Sequence, residues 1–237
     1  MMSSHSSEPA ALIFDMDGVL VHSNPFHLQK WAALLKKHGI PFNDADLPGI
    51  IVGVRDDTNL RRFFGNHITD EEVDRLNDQL EEKFREVFTR SAGPPPGAQR
   101  LLEEGLARGL PMALASSGTQ QNVDFVVDAL KLRPYLRVII SGNDVTHPKP
   151  DPEIYLKAAD KLGIEPVSCV AFEDSFVGVE AAKRAGMKCV AIASTFPGEE
   201  LRARTHADLV VPGFEVLSLS NLQQLFDGTV PNAGKSV

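Results

Sequence analysis

A series of short apolar runs, each ending abruptly in polar residues and followed by a helical pattern, limits this chain to very few folds. The first run, Ala11-Leu12-Ile13-Phe14, leads straight into Asp15-Met16-Asp17-Gly18. A continuous apolar run closed by a turn signal reads as a strand buried on both faces. Further strands are predicted over 111–115, 137–140, 168–172 and 188–192, with a weaker one at 208–211. Helical periodicity falls between them at 98–108, 120–130, 152–162 and 176–185, with a last helix near 221–226. Strands alternating with helices predict right-handed βαβ units and a parallel sheet covered on both faces, an α/β fold.

One block breaks the alternation. Residues of about 23 to 92 are predicted to be helical, with no strand signal. A helix over 25–39 opens with Pro25 in its first turn and closes at Gly39; Leu28, Trp31, Leu34, Leu35 and His38 form its apolar face. A loop carrying Pro41, Pro48 and Gly49 precedes a shorter helix at 58–64. Thr69-Asp70-Glu71-Glu72 is a capping box that opens a long helix ending near Arg90. Its stripe is Val73, Leu76, Leu80, Phe84, Val87 and Phe88, and Leu80, Phe84 and Phe88 are expected in the core of this block rather than in a pocket. Asp70–Glu72 and Glu81-Glu82 are expected to be solvated faces. Ser91-Ala92-Gly93-Pro94-Pro95-Pro96-Gly97 is the strongest break and reads as a hinge. The expected organisation is an α/β core formed by 1–22 and 93–237, interrupted by a helical insertion over 23–92.

The 237 residues suffice for a full hydrophobic core, and 43% apolar with 24% charged residues is ordinary globular composition. A net charge of −8 argues against a nucleic-acid or anionic-membrane surface. Cys169 and Cys189 each lie in an apolar run, match no metal-binding spacing and read as small buried hydrophobes in a reducing compartment. Residues 1–9 lack the apolar segment of a signal peptide, and no stretch approaches the roughly 18 residues needed to span a bilayer. The expectation is a cytoplasmic monomer with loose ends at 1–9 and about 228–237.

In a parallel sheet the carboxyl ends of the strands share one edge, where α/β folds bind their ligands. The first strand ends in Asp15 and Asp17, the second in Ser116-Ser117-Gly118. The third is followed by Asn143-Asp144 and His147-Pro148-Lys149-Pro150, and the fourth by Glu173-Asp174-Ser175. Taken alone, Ser116 is a helix cap, Lys149 a surface charge and Glu173-Asp174 turn acids. Together they form a site. Asp15, Asp174 and a main-chain carbonyl offer the few hard oxygen ligands that Mg²⁺ prefers. The Ser116 hydroxyl, the backbone N–H groups around Ser117-Gly118, and Lys149 supply donors and positive charge for an anion. Asp15 can attack phosphorus as a carboxylate nucleophile. Asp17 can protonate a leaving oxygen and later deprotonate a water. Glu173 fits support of the metal from behind its direct ligands.

These motifs resemble those of the haloacid dehalogenase-like superfamily, in the subgroup that includes β-phosphoglucomutase and many small sugar-phosphate phosphatases. The DxDG motif matches Asp15-Met16-Asp17-Gly18, the second-strand Ser/Thr matches Ser116, and the KP lysine matches Lys149-Pro150. The acidic pair matches Glu173-Asp174, with Gly178 and Ala181 behind it. The resemblance spans nearly the whole chain. It implies a Rossmann-like core, a helical cap in the insertion, an aspartyl-phosphate mechanism, and Mg²⁺ on Asp15, the Asp17 carbonyl and Asp174. Dehalogenase and phosphonate-cleaving branches lack an acid at Asp17, so its presence favours phosphoryl transfer.

The insertion departs from the pattern. Close relatives usually carry an acid at His22 and a glutamate at Asn24. His27 matches a histidine that β-phosphoglucomutases and many phosphatases keep near the catalytic acid; as structure it is a polar residue on the less buried side of a helix. In the substrate loop Val52-Gly53-Val54-Arg55, mutases carry a lysine before the glycine and an arginine three after it, where Val52 and Asp56 stand here. Arg55 is one residue early, either a solvated side chain or a phosphate ligand. The long helix offers no match for the mutase lysine that partners the histidine. The expectation is a Mg²⁺-dependent phosphatase acting on a small phosphomonoester, a sugar phosphate above all. The alternatives are a β-phosphoglucomutase-type mutase and a non-catalytic regulator that binds a phosphorylated metabolite.

Overall fold

The computed structural model describes residues 8–65, 67–88 and 93–227. Six strands, β1 (Ala11–Phe14), β2 (Met112–Ala115), β3 (Val138–Ile140), β4 (Cys169–Glu173), β5 (Lys188–Ile192) and β6 (Leu209–Val211), form one sheet in the order β3-β2-β1-β4-β5-β6. All five pairings are parallel. β1 is central, so both of its faces are buried: Ala11 and Ile13 point into one apolar cluster, Leu12 and Phe14 into the other. This is why its sequence is continuously apolar rather than alternating. The Phe14 and Phe172 rings stack at 4.6 Å across the β1–β4 pair, which fixes the register that sets Asp15 beside Glu173.

Helices α5 (Ala98–Ala107), α6 (Gln120–Ala129) and α10 (Leu219–Gln223) cover the Phe14 face. Helices α7 (Glu153–Leu162), α8 (Phe176–Arg184) and α9 (Gly198–Arg204) cover the Ile13 face. Strand order reverses between β1 and β4, and the crevice at such a switch point is where doubly wound sheets bind ligands. Asp15 and Asp174 stand on either side of it.

Between β1 and α5 come α1 (Asn24–Lys37), α2 (Leu47–Ile51), α3 (Asp56–Phe64) and α4 (Asp70–Val87). The capping box at α4 is present in both directions, Thr69 to Glu72 and back. Two short helices escaped the sequence reading. In α2, Pro48 and Gly49 read as a loop, yet Pro suits the first turn of a helix. In α9, acids in the first turn and arginines in the last complement the helix dipole. The face expected for α1 holds at Trp31, Leu34 and Leu35. His38 is exposed, and a buried lysine, Lys30, takes a place on the covered side. α4 closes at Val87 with Phe88 extended, slightly before the expected end near Arg90; Arg90 itself, Ser91 and Ala92 of the expected hinge and both expected loose ends (all but Glu8 and Pro9) lie outside the described residues. Cys169 and Cys189 are unpaired and buried. Among the described residues no helix is long and apolar enough to cross a membrane.

Candidate active site

β1 ends at Phe14, and the next residue, Asp15, donates its N–H to Phe172 O at 3.0 Å. This holds its carboxylate at the crevice. The turn that follows depends on Gly18, whose φ is +80°; a Cβ there would lie 1.9 Å from Asp174 Oδ2. Only glycine lets the chain reverse this close to the second acid.

Lys149 is the electrostatic hub. Its buried ammonium donates to Asp15 Oδ1 and Glu173 Oε1, each at 2.7 Å, and to Ala115 O at 3.1 Å. Tyr155 Oη donates to the same Glu173 oxygen at 2.7 Å. The other Glu173 oxygen accepts from the Ser175 hydroxyl and from the N–H of Asp174. Glu173 is thus fully employed in anchoring Lys149 and the β4–α8 turn. Gly178 makes room for it: a Cβ on Gly178 would lie 2.0 Å from the Glu173 carboxylate carbon.

Asp15, Glu173 and Asp174 each bring a carboxylate oxygen within 4.8 Å of the others. Burial pushes Asp15 up to about 7, opposed by Lys149 and reinforced by the Glu173 and Asp17 charges. Burial, then the charges of Glu173 and Asp15, drives Asp174 well above the usual carboxylate range. Asp174 Oδ2 accepts from Asn24 Nδ2 at 2.7 Å and from the Thr195 hydroxyl, while Oδ1 is buried with no partner among the described residues. A buried acceptor without a donor is costly in a protein alone. Three crowded carboxylates, one lysine and an orphaned oxygen fit a divalent cation.

Asp17 faces the opposite way, toward the helical block. It accepts from the Ser23 hydroxyl, and His27 Nε2 stands 3.0 Å from its Oδ1. The His27 ring stacks on Phe84 at 4.5 Å. Burial raises Asp17, but the charge and hydrogen bond of His27, the Ser23 hydroxyl and Lys30 outweigh it, and the net direction is down.

A cavity of about 190 Å³ opens between the sheet edge and the helical block. Asp15, Asp17, His27, Gly53, Arg55, Ser117 and Gly118 all line it. Ser116 and Lys149 are not on its wall. Ser116 is buried behind, its hydroxyl accepting the Gly118 N–H at 3.1 Å, and Lys149 lies behind Asp15. The Ser117 hydroxyl donates to Gly53 O at 3.0 Å, tying the substrate loop to β2. Arg55 is half-buried and partnered: it pairs with Asp57 and donates to Gly142 O and Val145 O at 3.4 and 3.3 Å.

Other residues of this wall went unread in the sequence. Lys30 is buried against Asp56 at 2.6 Å and Glu81 at 3.6 Å. Glu81, expected on a solvated face, is buried and accepts from Thr119 Oγ1 at 2.6 Å. Phe84 is core, as expected, and also cavity wall. His22 is exposed and points to no role here, whereas Asn24 holds Asp174.

Comparison with known proteins agrees with this arrangement. The chain is 33% identical over 178 residues to the phosphorylated carbohydrates phosphatase of Thermotoga maritima, spanning 75% of this chain and 82% of that protein. It is 31% identical over 200 residues to validoxylamine A 7'-phosphate phosphatase of Streptomyces hygroscopicus subsp. limoneus, spanning 80% and 88%. Its fold matches the crystal structure of β-phosphoglucomutase from Clostridium difficile with a TM-score of 0.82 and 25% identity, over 93% of this chain and 98% of that one. The family model for haloacid dehalogenase-like hydrolases matches residues 9–186. With a buried aspartate at the switch point of the sheet, this chain is an enzyme of phosphatase or phosphomutase type and belongs to the haloacid dehalogenase-like hydrolase family.

Proposed function

We propose that this enzyme is a Mg²⁺-dependent phosphatase that hydrolyses a small phosphomonoester, a sugar phosphate, through an acyl phosphate on Asp15. The observation that carries this reading is the Asp15 carboxylate at the cavity floor, 2.7 Å from Lys149 and beside the unpartnered oxygen of Asp174. Asp15, Asp174 and the main-chain carbonyl of Asp17 would hold Mg²⁺, which when bound neutralises the carboxylates and offsets phosphate charge. Glu173 supports that site indirectly, by fixing Lys149.

In the first half-reaction a carboxylate oxygen of Asp15 attacks phosphorus. The bond from phosphorus to the leaving alcohol breaks, and that oxygen takes a proton from Asp17. In the second, water attacks the phosphorus of the acyl phosphate, Asp17 receives the water proton, and the bond to Asp15 breaks to release phosphate. Asp17 must start as an acid and finish as a base. Burial raises its carboxyl but His27 holds it down, so in this reading it takes up its proton only when the charged phosphate is bound beside it, with His27 Nε2 at 3.0 Å as its neighbour. The Ser116–Gly118 turn and Lys149 fix the polar frame around the phosphate and the nucleophile. Residues 23–92 act as a cap that excludes water while the acyl phosphate forms.

The second reading is a phosphomutase, supported by the likeness of the fold to β-phosphoglucomutase. The two separate in one assay. Phosphate release from sugar monophosphates, abolished in Asp15→Asn, supports the phosphatase. Conversion of β-glucose 1-phosphate to glucose 6-phosphate without net phosphate release, given a trace of bisphosphate, means a mutase.

A further inference from the structure

The cavity volume of about 190 Å³ falls below the roughly 300–1,000 Å³ of pockets that enclose drug-sized ligands. It leaves room for a small leaving group beyond the phosphate. The wall that this group meets comes from the helical block and carries the carboxylates Asp56, Asp57, Asp74 and Glu81, with the amide of Asn77 between them. Lys30 and Arg55 share that wall, and both are held, while His27 beside them is paired with Asp17 and adds no charge beyond that pair. Lys30 is buried under Asp56 and Glu81 at 2.6 and 3.6 Å. Arg55 is clamped by Asp57 and by the carbonyls of Gly142 and Val145. Four carboxylates against two cations leave a formal negative excess. Burial pushes Glu81 up from its ordinary range, yet with that carboxyl protonated the excess remains.

From this charge pattern, and resting on the phosphatase reading above, we infer that the helical block selects a phosphomonoester whose leaving group is a small, hydroxyl-rich alcohol, neutral or amine-bearing. It rejects a leaving group that carries a second phosphate or a carboxylate. Carboxylates and an amide are good acceptors and donors for hydroxyls and an ammonium. Like charges placed opposite one another in a partly desolvated cleft oppose binding.

The test is kcat/KM for phosphate release by the full chain with Mg²⁺ on matched pairs: fructose 6-phosphate with fructose 1,6-bisphosphate, and glycerol 3-phosphate with 3-phosphoglycerate. Glucosamine 6-phosphate and the generic substrate p-nitrophenyl phosphate complete the set. The member of each pair whose leaving group is uncharged is expected to exceed its partner with an anionic leaving group at least about tenfold, with glucosamine 6-phosphate in the favoured group. Asp74→Lys, a change at an exposed helix position, is expected to narrow that ratio several-fold. Equal or better use of the anionic partners, with p-nitrophenyl phosphate still hydrolysed, overturns the inference and leaves the phosphatase reading standing. No release from any compound overturns the phosphatase reading instead. The same ranking is then read from calorimetric Kd values, and tighter binding of the anionic members overturns the inference.

Discussion

Lys149 Nζ stands 2.7 Å from Asp15 Oδ1, buried, and bridges it to Glu173 at the same distance. The nucleophile of the proposed reaction is therefore one arm of a buried ion triad, and chemistry and stability meet in a single ammonium. Lys149→Met leaves two buried carboxylates without their cation. It is expected to destabilise the fold by about 3–5 kcal/mol, a drop of about 10 °C in Tm, and to abolish phosphate release. Calorimetric unfolding checks the first outcome; an unchanged Tm would remove Lys149 from the role of hub.

Metal removal has a pH signature. Asp15 is pushed up to about 7, and Asp174 is pushed up too. A raised carboxyl pKa means that the folded chain without metal holds protons the unfolded chain has already released. Stability in EDTA is therefore expected to fall as pH rises from about 4 to about 7. A divalent cation needs the ionised carboxylates, so its stabilisation runs the other way. Saturating Mg²⁺ is expected to raise Tm by about 5–10 °C at pH 8 and by much less at pH 5.5. Thermal melts in EDTA and MgCl₂ at the two values decide it; an Mg²⁺ effect larger at pH 5.5 contradicts the proposed ligands.

In the proposed reaction Asp17 moves the protons. Asp17→Asn keeps its shape and its contact with Ser23 and removes the exchangeable proton. The expected result is a loss of about 10²–10⁴ in kcat, with the change in kcat rather than KM. Single-turnover measurement with a good leaving group such as p-nitrophenol should show a smaller loss in the first half-reaction, because that alcohol needs less protonation.

Gly178 tests the frame behind the site. Its α carbon faces the Glu173 carboxylate so closely that an added methyl would lie 2.0 Å away. Gly178→Ala is expected to cost at least about 2 kcal/mol and to displace Glu173, lowering activity together with Tm. Gly39→Ala has open space around it but a φ of +65°, so it carries backbone strain without touching Glu173. It serves as the control that should lose stability and keep activity.

The strands, the order of α/β elements and the four strand ends that carry the candidate residues were legible from residues alone. Each is encoded locally: a buried strand needs a continuous apolar run, and the turn behind Asp15 needs Gly18. The long helix announced itself through Thr69 and Glu72 because a capping box is a contact between near neighbours in sequence. What surrounds Asp17 and roofs the cavity was not legible. Asn24 reaches Asp174 across 150 positions, Lys149 reaches Asp15 across 134, and Glu81 meets Thr119 across 38. Lys30 went unread and Glu81 read as a solvated charge since a charge in sequence carries no mark of its partner, and only folding brings that partner close enough to bury both. Composition and local pattern thus determined the sheet and the acids at its edge. The tertiary structure alone decided that Asp174 keeps an unpartnered oxygen, that Arg55 and Lys30 are spoken for, and that the far wall of the cavity is negative, because those outcomes depend on which distant charges meet in a medium too poor in water to screen them.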